Sequence, residues 1–177
     1  RIQAVTSDGD TSLVSNEISV VPGHYGPVWH VTTAGSDDIG DGHSGNPYAT
    51  IQKAINQADN RDTILIHPGT YFETNIYISN MVLKGLVIGS KMLLEGDKNH
   101  INTTIVNGGG SGNVFSMEWL PDTMHHEISG LTIKNGNRGI YIYSSIVYLN
   151  NLNVINNTGD WNGSGISVQN AETDLAN

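Results

Sequence analysis

One unit is written twice between Gly130 and Gln169. The first copy reads Leu131-Thr-Ile-Lys-Asn-Gly-Asn137, then Gly139-Ile-Tyr-Ile-Tyr143; the second reads Leu152-Asn-Val-Ile-Asn-Asn-Thr158, then Gly165-Ile-Ser-Val-Gln169. Leu131 to Leu152 spans 21 residues and Gly139 to Gly165 spans 26, so the second copy carries an insertion of five. A recurring unit of roughly 20 to 30 residues built from short strands cannot bury its apolar face alone and must stack on its neighbours, which makes a solenoid. Alternation then decides what fills the bore. Leu131, Ile133, Ile140 and Ile142 should point inward, with Leu152, Val154, Ile166 and Val168 stacked on them. Thr132, Lys134, Tyr141 and Tyr143 should point outward. Asn135 and Asn156 fall at equivalent turns, where Asn tolerates a left-handed backbone and can bond its copy in the next coil. Gly139 and Gly165 mark a repeated tight corner.

Upstream, residues 1–21 alternate around Ser7-Asp-Gly-Asp10, a turn signal between two extended runs. Pro22-Gly-His-Tyr-Gly-Pro27 breaks any regular element and reads as a linker. A short strand at Trp29-His-Val-Thr-Thr33 and a Gly- and Asp-rich loop follow. Next comes the one clear helical pattern, over 47–59, in which Ile51, Ala54, Ile55 and Ala58 form an apolar stripe. Asn46 is the expected cap, with Thr50 competing. A solenoid exposes the edges of its end coil, and this helix is the natural cover. From Thr63 onward short strands, Met92-Leu-Leu94 among them, are expected to run to the end without another helix. Pro68-Gly69 should centre a type II turn.

Two resemblances follow from these residues. Ile2-Gln-Ala-Val-Thr-Ser-Asp-Gly-Asp-Thr-Ser-Leu-Val-Ser-Asn-Glu-Ile-Ser-Val20 resembles the last hairpin of a fibronectin type III domain. Three further segments resemble the opening of a right-handed parallel β-helix of the pectin-lyase-like superfamily. They are Trp29-His-Val-Thr-Thr-Ala-Gly-Ser-Asp37, Gly45-Asn-Pro-Tyr-Ala-Thr-Ile-Gln-Lys-Ala-Ile55 and Asp62-Thr-Ile-Leu-Ile-His-Pro-Gly-Thr-Tyr71. The expected class is all-β, a right-handed parallel β-helix over 28–177 with an N-terminal capping α-helix. The resemblance implies a secreted or cell-surface protein, bacterial, whose partner is a polysaccharide or cell-surface glycan. Both ends read as cut from a larger multidomain chain, within which this part is expected to be monomeric.

The charge balance is 8 Lys plus Arg against 17 Asp plus Glu, a formal −9 over 177 residues. A nucleic-acid face needs clustered cations, so that partner is excluded, and no apolar run approaches a membrane span. The chain has no Cys, which removes disulfides, thiolate metal sites and a Cys nucleophile. Acidic balance permits calcium, a candidate cofactor, and Asp37, Asp38 and Asp41 are its candidate ligands. Their loop lacks EF-hand spacing, and turn formation and capping is the expected role.

Lyases of the resembled superfamily need a basic group, usually with calcium on several Asp. Lys134 and Arg138 are the basic residues of the clear repeat, without outward Asp on successive strands beside them. Paired carboxylates for hydrolysis are also missing. The catalytic centre of a lyase is therefore expected in coils beyond Asn177. The alternative is a non-catalytic β-helix that binds glycans or serves as a surface adhesin or stalk. Candidate glycan contacts are Lys134, Arg138, Tyr141, Tyr143 and Trp161 on the inserted loop. A second insertion, Met117 to Glu127, carries Trp119, His125, His126 and Glu127; neighbouring His in a strand face opposite ways and chelate poorly.

Overall fold

A computed structural model describes residues 27–79, 84–159 and 165–176. The fibronectin-like hairpin, nearly all of the linker and Trp161 lie outside the described residues.

The chain is a parallel β-helix. Strand β1 (Val28–Val31) leads through a loop to helix α1 (Ile51–Gln57). The first coil is β2 (Thr63–Ile66), β3 (Gly69–Phe72) and β4 (Ile76–Ser79). The second is β5 (Val87–Ser90), two helical turns α2 (Met92–Glu95) and α3 (Asn99–Thr103), then β6 (Thr104–Asn107) and β7 (Asn113–Glu118). The third is β8 (Glu127–Ser129), β9 (Thr132–Lys134) and β10 (Arg138–Tyr143). The fourth is β11 (Ile146–Asn150), β12 (Asn153–Ile155) and β13 (Ile166–Gln169), with β14 (Glu172–Ala176) opening a fifth. The strands stack into three sheets, all in parallel register. Sheet I is β1-β2-β5-β8-β11-β14, sheet II is β3-β6-β9-β12 and sheet III is β4-β7-β10-β13.

Stacking explains why these strands form. Each inward position lands on an apolar residue one coil away: Ile64, Ile88, Ile128 and Leu149 in sheet I, and Tyr71, Val106, Ile133 and Val154 in sheet II. In sheet III one column runs Ile76, Phe115, Ile140, Ile166 and the other Ile78, Met117, Ile142, Val168. The columns are buried through the third coil. Each such side chain contributes roughly 1.5–3 kcal/mol on burial. On the fourth coil Val168 is 40% exposed, because no further described strand covers it.

Helix α1 covers the first coil by its stripe of Ile51, Ala54 and Ile55. It is shorter than the sequence pattern, and Thr50 is the cap: its hydroxyl accepts from Lys53 N–H. Asn46 instead closes a tight loop with His43, and Tyr48 bridges to Val31. Side chains from elsewhere in the chain meet both helix ends. Asp37 accepts from Ala49 N, Thr50 N and Thr50 Oγ1, and Glu73 accepts from Ile51 N and Gln52 N. Lys84 Nζ donates to Ile55 O and Ala58 O, each at 2.6 Å. Anions at the N-terminus and a cation at the C-terminus suit the helix dipole. The Gln52 side chain also pairs with both backbone groups of Tyr77 on edge strand β4, satisfying a position open to strand addition.

Several expectations need correction. Met92-Leu-Leu94 is helical, capped by Gly96 at φ 70°, because an apolar triplet fits either period. Thr132 points out of the bore yet is buried, since α3 roofs it and Ile101 O accepts its hydroxyl at 2.7 Å. Gly69 opens β3 rather than closing a type II turn. Asn135 (φ 57°) and Asn156 (φ 54°) take the left-handed corner, but Gly139 does not. Gly139 is needed for space: a Cβ there would sit 2.7 Å from Gly165 O. Asn135 does donate to Asn107 one coil below. In the next coil Asn157, not Asn156, makes the bond, accepting from Gly136 N–H at 2.8 Å.

Candidate functional site

The outer face of sheet III follows from strand alternation. Its two outward rows are Tyr77, Ser116, Tyr141, Ser167 and Ser79, Glu118, Tyr143, Gln169, each in register across four coils. Tyr141 and Tyr143 lie on one strand with ring centroids 6.4 Å apart and planes 26° apart. The Arg138 guanidinium sits 5.3 Å from the Tyr141 ring centre, in the range of a cation–π contact. Burial and the nearby Glu118 charge push the Tyr141 phenol up, so it remains a neutral donor. Its hydroxyl reaches Gln169 Oε1 at 3.4 Å.

The corner between sheets III and I completes the surface. Trp119, Ser144 and Asn170 each follow an in-register residue, and each has a left-handed backbone, with φ of 59°, 45° and 47°. Asn suits such a corner and a bulky residue does not, at roughly 1–2 kcal/mol per residue. Trp119 is nevertheless fixed there. Its N–H donates to Tyr143 O at 2.9 Å, and the next N–H, of Leu120, donates to Ser145 Oγ at 3.0 Å. The backbone turns the indole outward, 54% exposed, edge-on to Tyr143 with centroids 4.8 Å apart. A strained non-Gly residue held by its surroundings points to function. Beside it a shallow cleft of about 410 Å³ is lined by Asp122, Ser144, Ser145, Ile146, Asn170 and Ala171. The result is a strip of three aromatic rings edged by carboxylate, amide and hydroxyl groups. It suits a flat ligand with an apolar face and a polar rim.

Of the expected contacts, Arg138, Tyr141 and Tyr143 come together here. Lys134 does not: it lies on β9 of sheet II, in a row with Phe72, Asn107 and Ile155. Trp119, Glu118 and Gln169 are site residues that the sequence reading did not place. A signal existed, because aligning Phe115-x-Met117 with Ile140-x-Ile142 puts Trp119 on Ser144. Asp37, Asp38 and Asp41 do not converge. Asp37 caps α1, Asp38 is exposed, and Asp41 bonds His43, which holds its carboxyl below the usual range. Among the described residues no group of three His, Cys, Asp or Glu side chains is arranged to hold a metal ion. His125 and His126 do diverge: His125 stacks on Tyr148 and meets Glu127 at 3.1 Å, whereas His126 is fully buried. No described helix is long and apolar enough to cross a membrane.

Residues 33–177 match the family described as "Protein of unknown function (DUF1565)". The chain belongs to the DUF1565 family. No curated protein and no solved structure matches it. In this DUF1565 chain the match spans every coil, so the aromatic strip sits on the matched β-helix and not on an appended segment.

Proposed function

We propose that the protein is an extracellular polysaccharide-binding β-helix whose contact surface is Trp119, Tyr143, Tyr141 and Arg138. The observation that carries this is Trp119, held in a left-handed corner where its ring stands out edge-on to Tyr143. A sugar ring offers an apolar C–H face to an aromatic ring and hydroxyls to the amides and carboxylates around it. The open face of a solenoid lets an extended polymer cross successive coils. Arg138 keeps a lyase reading in view, as the basic group on this face.

The test is affinity electrophoresis through gels loaded with single polysaccharides, alongside ultraviolet absorbance for unsaturated uronide products. Retardation of the wild type that is lost in Trp119→Ala, with no product formed, supports a binding module. Product formation replaces binding by lyase activity. Equal mobility in every gel rejects the proposal.

A further inference from the structure

We infer that the polymer taken by this surface is neutral rather than a polyuronate; this rests on the glycan-binding reading above. The charge around the rings disfavours an anionic ligand. Glu118 pairs in register with Tyr143 and follows the same strand into Trp119. Asp122, three residues beyond Trp119 in the chain, lines the cleft at this corner with Ser144 and Asn170. The Trp119–Tyr143 end of the strip thus has one carboxylate in register with Tyr143 and a second in the cleft at the same corner. The cation of the strip, Arg138, is half-buried at the opposite end, over the Tyr141 ring. A polyuronate carries a carboxylate on every sugar, and a chain laid over these rings would bring like charges together at the Trp119 end. Opposed like charges reject a ligand more strongly than rim contacts attract it. The net −9 of the whole chain adds a repulsive field at low salt. A neutral sugar meets no such penalty. Its hydroxyls can donate to Glu118 and Asp122 and exchange hydrogen bonds with Gln169, Asn170 and Ser144. Lys134, the cation that could have balanced a uronate, is on sheet II and does not reach the strip.

The experiment compares binding of the whole chain to neutral polymers (a β-glucan, a xylan, a galactan and a mannan) and to polygalacturonate and alginate, at low and high salt. At least one neutral polymer should bind with an affinity that salt changes by less than about threefold, and polyuronates should bind at least about tenfold more weakly at low salt. Joint Glu118→Gln and Asp122→Asn substitution should improve polyuronate binding relative to neutral binding by about tenfold at low salt, and by less at high salt. Polyuronate binding equal to or tighter than neutral binding, and lost in Trp119→Ala, overturns the neutral-ligand inference while leaving glycan recognition standing. Binding to neither class overturns both.

Discussion

Sheets II and III are built from the same coils and differ on their outer faces. Sheet II bears the more exposed aromatic: Phe72 is 77% exposed, and Ile155 in the same row is 47% exposed. Yet Asn107 and Lys134 separate them. Its second row is partly roofed, through the Thr132 bond to Ile101 and the Asn153 bond to Asn102. Sheet III carries rings that touch: Trp119 on Tyr143, Tyr143 beside Tyr141, Arg138 over Tyr141. The corners differ in the same way. At the corner between sheets II and III the left-handed positions go to Asn75, Asn135, Asn156 and glycines, whereas at the corner between sheets III and I one position goes to Trp119. Exposure of a ring does not make a site; contact between rings, fixed by backbone that resists moving them, does.

The largest effect should separate the faces outright. Joint Trp119→Ala and Tyr143→Ala substitution is expected to weaken polysaccharide binding by about a hundredfold or more, as loss of two central aromatic anchors does. Phe72→Ala should leave it unchanged, and calorimetric titration of both variants reads the difference.

Next come the corners. Asn135→Ala should lower unfolding stability by about 1–2 kcal/mol, because Ala pays more for the left-handed backbone and the bond to Asn107 is lost. Asn135→Gly should lose less, and neither should alter binding; denaturant titration measures both. Trp119→Asn should do the reverse. Relief of strain offsets the lost ring contact, so stability should remain within about 1 kcal/mol of wild type while binding weakens by about tenfold.

Much of the scaffold was legible. Leu131, Ile133, Ile140 and Ile142 had to face inward because a bore accepts apolar residues alone, and period-two alternation leaves no other choice. Asn135 and Asn156 were readable as corners because few residues adopt that backbone cheaply. The site was less legible because its neighbours are set by coil register. Glu118 and Tyr143 are adjacent in space but 25 residues apart, and the loops between them vary in length. Val87 pairs with Glu127, 40 residues on, whereas Glu127 pairs with Tyr148 after 21. Without a constant period, residues 117–127 read as an insertion with titratable groups, and the contact of Trp119 with Tyr143 stayed hidden. Lys134 and Arg138 lie four residues apart in sequence, but the corner at Asn135 sends them to different faces.

The smallest expected effect lies off both faces, on sheet I. His30 Nδ1 and His67 Nε2 are 2.9 Å apart, and burial together with the nearby cationic groups lowers both from the ordinary 6.5. The unfolded chain therefore binds protons at a higher pH than the folded one. Stability should be fully present above about pH 6.5 and decline as pH falls through and below that value. His67→Gln should flatten this slope in thermal melts while glycan binding at neutral pH is retained.

The central claim is that one face of the solenoid, and not the other, meets the polymer. Hydroxyl-radical footprinting with and without a bound polysaccharide tests it residue by residue. Protection of Trp119, Tyr141 and Tyr143 with unchanged labelling of Phe72 is the predicted result. Protection of Phe72 while Trp119 stays fully reactive would contradict it.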